Sequence, residues 1–259
     1  MSEYRQANQS LVLLAQRDLS DFWGSLNLLG DPTRIRDLLL EFFPELLATY
    51  GDAAALLGAD WYDMLRSAPP SAARFRAALA SPVKTDQAIG SARWALGPLF
   101  LDEPDPVGAL DRLMGATQRL VLAPGRDGVF TAAHSDPVAT GVARVPSGPT
   151  TCKFCVMLAS RGAVYRSATS AGAVVGHGKD VSQNFNADGS QRVFGNRMAK
   201  GVKARGSQDL GRSFHDNCDC VPLVIRKFSD YPKGYADQLE EFRKLYREDA
   251  GIGRDIPTD

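Results

Sequence analysis

No stretch of about eighteen apolar residues occurs in the chain, and without one a membrane-spanning helix is not expected. The N-terminus, Met1-Ser2-Glu3-Tyr4-Arg5, has no basic segment leading into an apolar core, so a signal peptide is not expected either. Cysteine is scarce. Four in 259 residues are too few for a disulfide-dense secreted scaffold, and reduced thiolates suit a protein made in the cytosol. Only three histidines are present. No Walker A loop, G-x-S-x-G elbow or H-E-x-x-H pair is found, which removes the commonest local signatures of phosphate-binding, serine-hydrolase and metalloprotease chemistry. Net charge is missing as well, with 30 basic residues against 30 acidic ones.

What cysteine there is lies in two tight groups. The first is Cys152-x-x-Cys155; the second is His215-x-x-Cys218-x-Cys220, about sixty residues later. Together they hold every cysteine of the chain and one of its histidines. A C-x-x-C turn brings two thiolates to one ion, and an extended Cys-x-Cys puts alternate side chains on one face. Soft sulfur and imidazole donors in such pairs are the ligands of a structural zinc ion. Five candidates compete for four places: Cys152, Cys155 and Cys218 lead, and Cys220 and His215 contend for the fourth. Two disulfides, or free thiols, are the alternatives, disulfides especially if the mature protein sits in an extracellular particle. A Cys–His nucleophilic pair would need a free thiolate, which metal binding by the same residues takes away.

The other two histidines read differently. His177, in Val175-Gly176-His177-Gly178-Lys179, is a loop residue. His134-Ser135-Asp136 stands ahead of the first cysteine pair, as in a zinc deaminase, but the acid is aspartate and Pro149 is not adjacent to Cys152.

The fold class expected is α+β: a helical region over 1–124, a small loop-rich α+β unit clamped by the Cys/His site over 125–228, and a charged helix and tail over 229–259. Leu11, Leu14, Leu19, Phe22, Trp23 and Leu26 recur at helical spacing within Ser10 to Leu28. Gly30-Asp31-Pro32 stops that helix and starts another, with Asp31 as N-cap and Pro32 at the first helical position. Leu38 to Leu47 gives a second apolar face, and Asp52 to Leu65 a separate third helix ended by Pro69-Pro70. Phe75–Leu79, Ile89–Leu96 and Val107–Leu122 are expected to be helical. Asp102, Glu103 and Asp105 read as a solvated helix start. After Pro124-Gly125 the residues turn to Gly, Ser, Asn, Thr and Val. Val129–Thr131, Val142–Val145 and Val221–Ile225 read as strands. Residues 153–160 read as one or two helical turns, 170–212 as a long loop, and 235–248 as a helix with Leu239, Phe242 and Leu245 on one face.

Charge is unevenly spread along this plan. Residues 1–140 carry 12 basic and 17 acidic side chains, 141–228 carry 13 and 5, and 229–259 carry 5 and 8. The cysteine-bearing middle is therefore basic and its flanks acidic. Arg192, Arg197, Lys200, Lys203, Arg205 and Arg212 are opposed within their run only by Asp209. Such a run is either a solvated loop or a sequence-blind, salt-dependent contact with nucleic-acid phosphates.

The stretch Pro149-Thr-Thr-Cys152-Lys-Phe-Cys155-Val-Met-Leu-Ala-Ser-Arg161-Gly162-Ala-Val-Tyr165, followed by Phe214-His215-Asp-Asn-Cys218-Asp-Cys220-Val-Pro222, resembles the Mu F-like minor head proteins of tailed bacteriophages, in the version found in phages of actinobacteria. Asp60-Trp61-Tyr62, with Arg66 following, is similar to the N-terminal region of that group. The resemblance implies a virion protein, made in the cytoplasm of the infected bacterium and carried inside the head near the portal. It implies a part in head morphogenesis or DNA delivery. The partners it implies are the portal protein, major capsid or scaffold proteins, and packaged double-stranded DNA held without sequence preference. Some relatives are labelled capsid maturation proteases, so a protease or nuclease of the head is the enzymatic alternative. No residue here is assigned a catalytic role.

Overall fold

The structure, a computed structural model, describes residues 2–27, 30–66, 74–138, 141–146, 155–156, 159, 162–163, 218–225 and 235–249. Helix α1 spans Ser2–Asn27. Its buried side chains are Tyr4, Asn8, Val12, Ala15, Leu19, Trp23 and Leu26, a stripe advancing by three or four residues as one helical face must. That face runs through Val12 and Ala15 and leaves Leu13 and Leu14 exposed, so Leu14 does not belong to it as the periodicity had suggested. Gly30, at φ +67°, turns the chain into helix α2, Pro32–Leu65. Asp31 caps it: Oδ1 accepts from the Thr33 amide at 2.9 Å.

Helix α2 runs without a break past Gly51, where two helices had been expected. Gly51 is a contact surface and not a stop. A Cβ there would lie 3.4 Å from Pro124 Cγ of the opposing helix. The small residues Gly51, Ala54, Ala55, Gly58 and Ala59 are all buried and let that helix approach closely. Residues 75–79, expected to be helical, are not. Side chains of α2 hold them instead: Asp63 Oδ1 accepts from the Ala77 amide at 3.0 Å, and Phe75 meets Tyr62 edge-on at 5.9 Å. Helix α3, Thr85–Ala95, and a 3-10 turn, Gly97–Phe100, follow.

Helix α4 spans Pro106–Ser135, capped by Asp105. Asp102, Glu103 and Asp105 are exposed, as expected of a solvated helix start. The helix continues through Pro124 and Gly125 and takes in Val129–Thr131, which had read as a strand. Leu122, Arg126, Val129 and Phe130 are all buried, a helical and not an alternating spacing. Tertiary packing thus overrides the β propensity of Val and Phe. α2 and α4 make the most extensive contact in the fold. Where they cross, a Cβ on Gly58 would overlap the Gly125 carbonyl, and one on Gly125 would overlap the carbonyl of Ala54.

Strands β1, Gly141–Val145, and β2, Val221–Ile225, pair antiparallel, with Val142 opposite Val224 and Arg144 opposite Pro222. Both strands are buried at all five positions, which explains their short, nearly continuous apolar composition. Helix α5 spans Tyr235–Asp249, with Leu239 and Phe242 buried. Two main apolar clusters result. One lies among α1 to α4 around Leu19, Leu39, Phe43, Leu47, Leu113 and Leu120. The other joins Tyr4, Trp61, Tyr62, Val129 and Phe130 to both strands, three cysteines and Tyr235. The small sheet is therefore seated on the helices. An ion pair reinforces that end: Arg66 Nε and Nη2 lie 2.7 and 3.1 Å from the two oxygens of Asp136. The Tyr62 hydroxyl donates to the same carboxylate at 2.9 Å. Among the described residues no helix is long and apolar enough to cross a membrane.

Candidate metal centre

Cys218 and Cys220 stand just before β2, both buried. Asp219, between them, faces the other way and accepts from Gln118 Nε2 of α4 at 2.7 Å. Cys155 has helical backbone, as do Val156 and Ala159, in keeping with the helical turns expected over 153–160. All three cysteines are buried, and their Sγ atoms lie within 4.8 Å of one another. The two sequence groups thus converge. Cys152 and His215 lie outside the described residues. His134, at the end of α4, is exposed, and Asp136 two residues on is occupied by Arg66 and Tyr62. Arg192, Arg197, Lys200, Lys203, Arg205 and Arg212, and His177, also fall outside the described residues.

Two arginines complete the surroundings. Arg144, the fourth residue of β1, is 0% exposed. Its Nη2 lies 3.5 Å from Cys218 Sγ and 4.0 Å from Cys155 Sγ. The Tyr235 hydroxyl donates to its carbonyl at 3.1 Å, tying α5 to the same point. Arg126 of α4 is 3% exposed and donates from Nη2 to the Cys218 carbonyl. Sequence reasoning missed both. A charged side chain inside the apolar strand Val142–Val145, and another on the buried face of α4, were the available signals, because arginine is almost never fully buried without a partner.

The electrostatics follow from this geometry. Hydrogen bonds from Cys155 and then Cys220 hold the Cys218 thiol far below its ordinary range, and the charges of Arg126 and Arg144 act in the same direction against burial. Cys155 is pushed far up, because its proton is shared with Cys218 and Cys220 and because it is buried. Cys220 feels a favourable hydrogen bond from Cys155, but its bond to Cys218, burial and the neighbouring charge push it up to about 12. The three thiols ionise as one unit. Burial pushes the Arg126 guanidinium below its ordinary value, and the Cys218 charge pulls it back up.

Three soft donors at one buried point fit a thiophilic metal. A tetrahedral zinc with Zn–S of about 2.3 Å has sulfurs roughly 3.8 Å apart, and Cys155 and Cys218 are separated by 3.6 Å. That separation is far beyond the about 2.05 Å of a disulfide between the two. Beside the site, a cleft of about 410 Å³ opens between α1 and the start of β2, with Arg5, Gln118, Arg126 and Asp219 in its lining.

Residues 1–248 match the protein family described as VG15 protein. The chain is 28% identical over 248 residues to the gene 15 protein of Mycobacterium phage L5, an alignment covering 86% of this chain and 74% of that protein. It is 35% identical over 198 residues to the gene 15 protein of Mycobacterium phage D29, covering 75% and 68%. No solved structure matches.

Proposed function

The chain belongs to the VG15 protein family, which is phage-encoded, and from that premise we propose that it is a minor head protein of the virion. In this reading it is Mu F-like, lies inside the head near the portal, and acts in head morphogenesis or DNA delivery. One observation carries the reading. The two cysteine groups that give the sequence its Mu F-like character meet at one buried point, with Sγ atoms within 4.8 Å, although 63 residues separate Cys155 from Cys218.

The centre is structural in this proposal. Zinc would be held by Cys155, Cys218 and Cys220, with Cys152 or His215 as the fourth ligand. Such a closed shell leaves no position for water or substrate. Bound zinc stabilises small domains by on the order of 10 kcal/mol at neutral pH. Among the described residues the sheet has two strands, a size that is marginal by itself, so a metal clamp has a clear purpose. The basic run from Arg192 to Arg212 would then face packaged DNA, and the acidic helical part would dock the portal, capsid or scaffold.

Mass spectrometry of purified phage particles, before and after genome release, tests the assignment. The expected result is the chain inside particles at low copy number. Its absence from particles would overturn the proposal. The protease alternative predicts a different outcome: a folded Cys218→Ala variant that leaves other head proteins uncleaved. The structural reading predicts loss of the folded sheet end in that variant, with no separate cleavage defect.

A further inference from the structure

We propose that Arg144 and Arg126 are the outer sphere of a thiolate centre for a soft divalent cation, and that they set its affinity. The inference rests on the metal reading above and extends it to residues that supply no ligand atom.

The geometry singles these side chains out. Arg144 is the fourth residue of a five-residue strand whose every position is buried. Its guanidinium reaches two of the three sulfurs, at 3.5 and 4.0 Å, and its main chain is held by Tyr235. Arg126 comes from a different element, α4, and grips the main chain of Cys218 through its carbonyl. One arginine thus orients sulfur atoms, and the other orients the segment that carries two of them.

The chemistry explains why cations are needed there. A divalent ion bound by three or four thiolates is an anionic complex. In a dry interior that charge is costly unless fixed opposite charge lies close. N–H groups aimed at ligating sulfurs also fix their orientation, and outer-shell partners of this kind typically change metal affinity 10- to 100-fold. Selectivity against hard ions such as magnesium, which bind through oxygen and keep their water, comes from the sulfur ligands.

The test uses the full chain and three variants, Arg144→Met, Arg144→Lys and Arg126→Met. Zinc affinity is measured by competition with a chromophoric chelator, and cobalt(II) is used as a spectroscopic probe. Wild type should bind one zinc and show intense sulfur-to-cobalt charge-transfer absorption. Arg144→Met should weaken zinc binding roughly 10- to 100-fold and shift that absorption. Arg144→Lys should fall between the two, and Arg126→Met should weaken binding in the same direction. A merely structural role predicts something else: equal losses of melting temperature with and without zinc, and an unchanged cobalt spectrum. That result, or zinc affinity within about threefold of wild type in both methionine variants, overturns the outer-sphere proposal alone. A wild-type chain that takes up neither zinc nor cobalt overturns the metal reading itself. If Arg144→Met does not fold, Arg144→Lys and Arg126→Met carry the test, and wild-type affinity in both overturns the proposal.

Discussion

At Gly58 a methyl group has nowhere to go, because the Gly125 carbonyl already occupies its place. At Gly90, on the exposed side of α3, a Cβ meets nothing within 4 Å. Alanine at Gly90 should therefore stabilise the fold by about 0.5–1 kcal/mol through helix propensity. Alanine at Gly58 should destabilise it by about 1–3 kcal/mol through overpacking. Chemical denaturation of the two variants measures both signs, and equal effects would remove the close crossing from the account. Asp136 gives a pH prediction. Burial alone would raise its carboxyl pKa, but hydrogen bonds from Arg66, Val138 and Tyr62 hold it below 3.8. A depressed folded value contributes stability that is complete above about pH 4 and disappears as pH falls through the folded value. Asp136→Asn should lower the melting temperature at pH 7 by on the order of 5–10 °C, and much less near pH 2. A constant deficit across that range would count against the ion pair. Little of this was legible beforehand. In sequence Asp136 stands out only for its nearness to His134, and its partner Arg66 is 70 residues away.

Element by element, the chain announces itself unevenly. α1, the Asp31-Pro32 start of α2, β1, β2 and α5 were readable, because their periodicity, caps and apolar runs are local properties. Three readings failed for reasons that are not local. Asp52–Leu65 looked like a separate helix and continues α2, with Gly51 a packing notch against Pro124. Val129–Thr131 looked like a strand and is helix, since its side chains serve a face set by the α2–α4 crossing. Phe75–Leu79 looked helical and is irregular, held by Asp63 and Tyr62. The candidate centre was legible in its sulfurs and illegible in its arginines, which sequence spacing cannot connect to Cys155 and Cys218. If the centre is a metal clamp, its removal should act on particular elements. Treatment with a zinc chelator should speed amide exchange in β1 and β2 by at least tenfold while α1 to α4 keep most of their protection. Uniform acceleration in all elements, or none in the strands, would contradict a local clamp.

For the molecule as a whole, charge is the property that spans both halves. A segment with 13 basic and 5 acidic side chains lies between acidic flanks, and the proposed DNA contact rests on that pattern. Non-specific binding to duplex DNA should weaken steeply between 50 and 200 mM salt. Replacing Arg197, Lys200 and Lys203 together by glutamate should reduce the slope of log affinity against log salt by roughly 2–3. An unchanged slope in a filter-binding series would remove the DNA-facing role from that run. Tyr4 and Trp61 lie stacked at 4.9 Å in the sheet-side cluster, whereas Trp23 is buried in the bundle-side cluster and Trp94 is 55% exposed. The three indoles are thus distributed one to each environment, so intrinsic fluorescence contains a built-in position code. Selective quenching by iodide reads Trp94. A red shift that begins before Trp23 responds reports the strands lifting off the helices while the bundle is still intact.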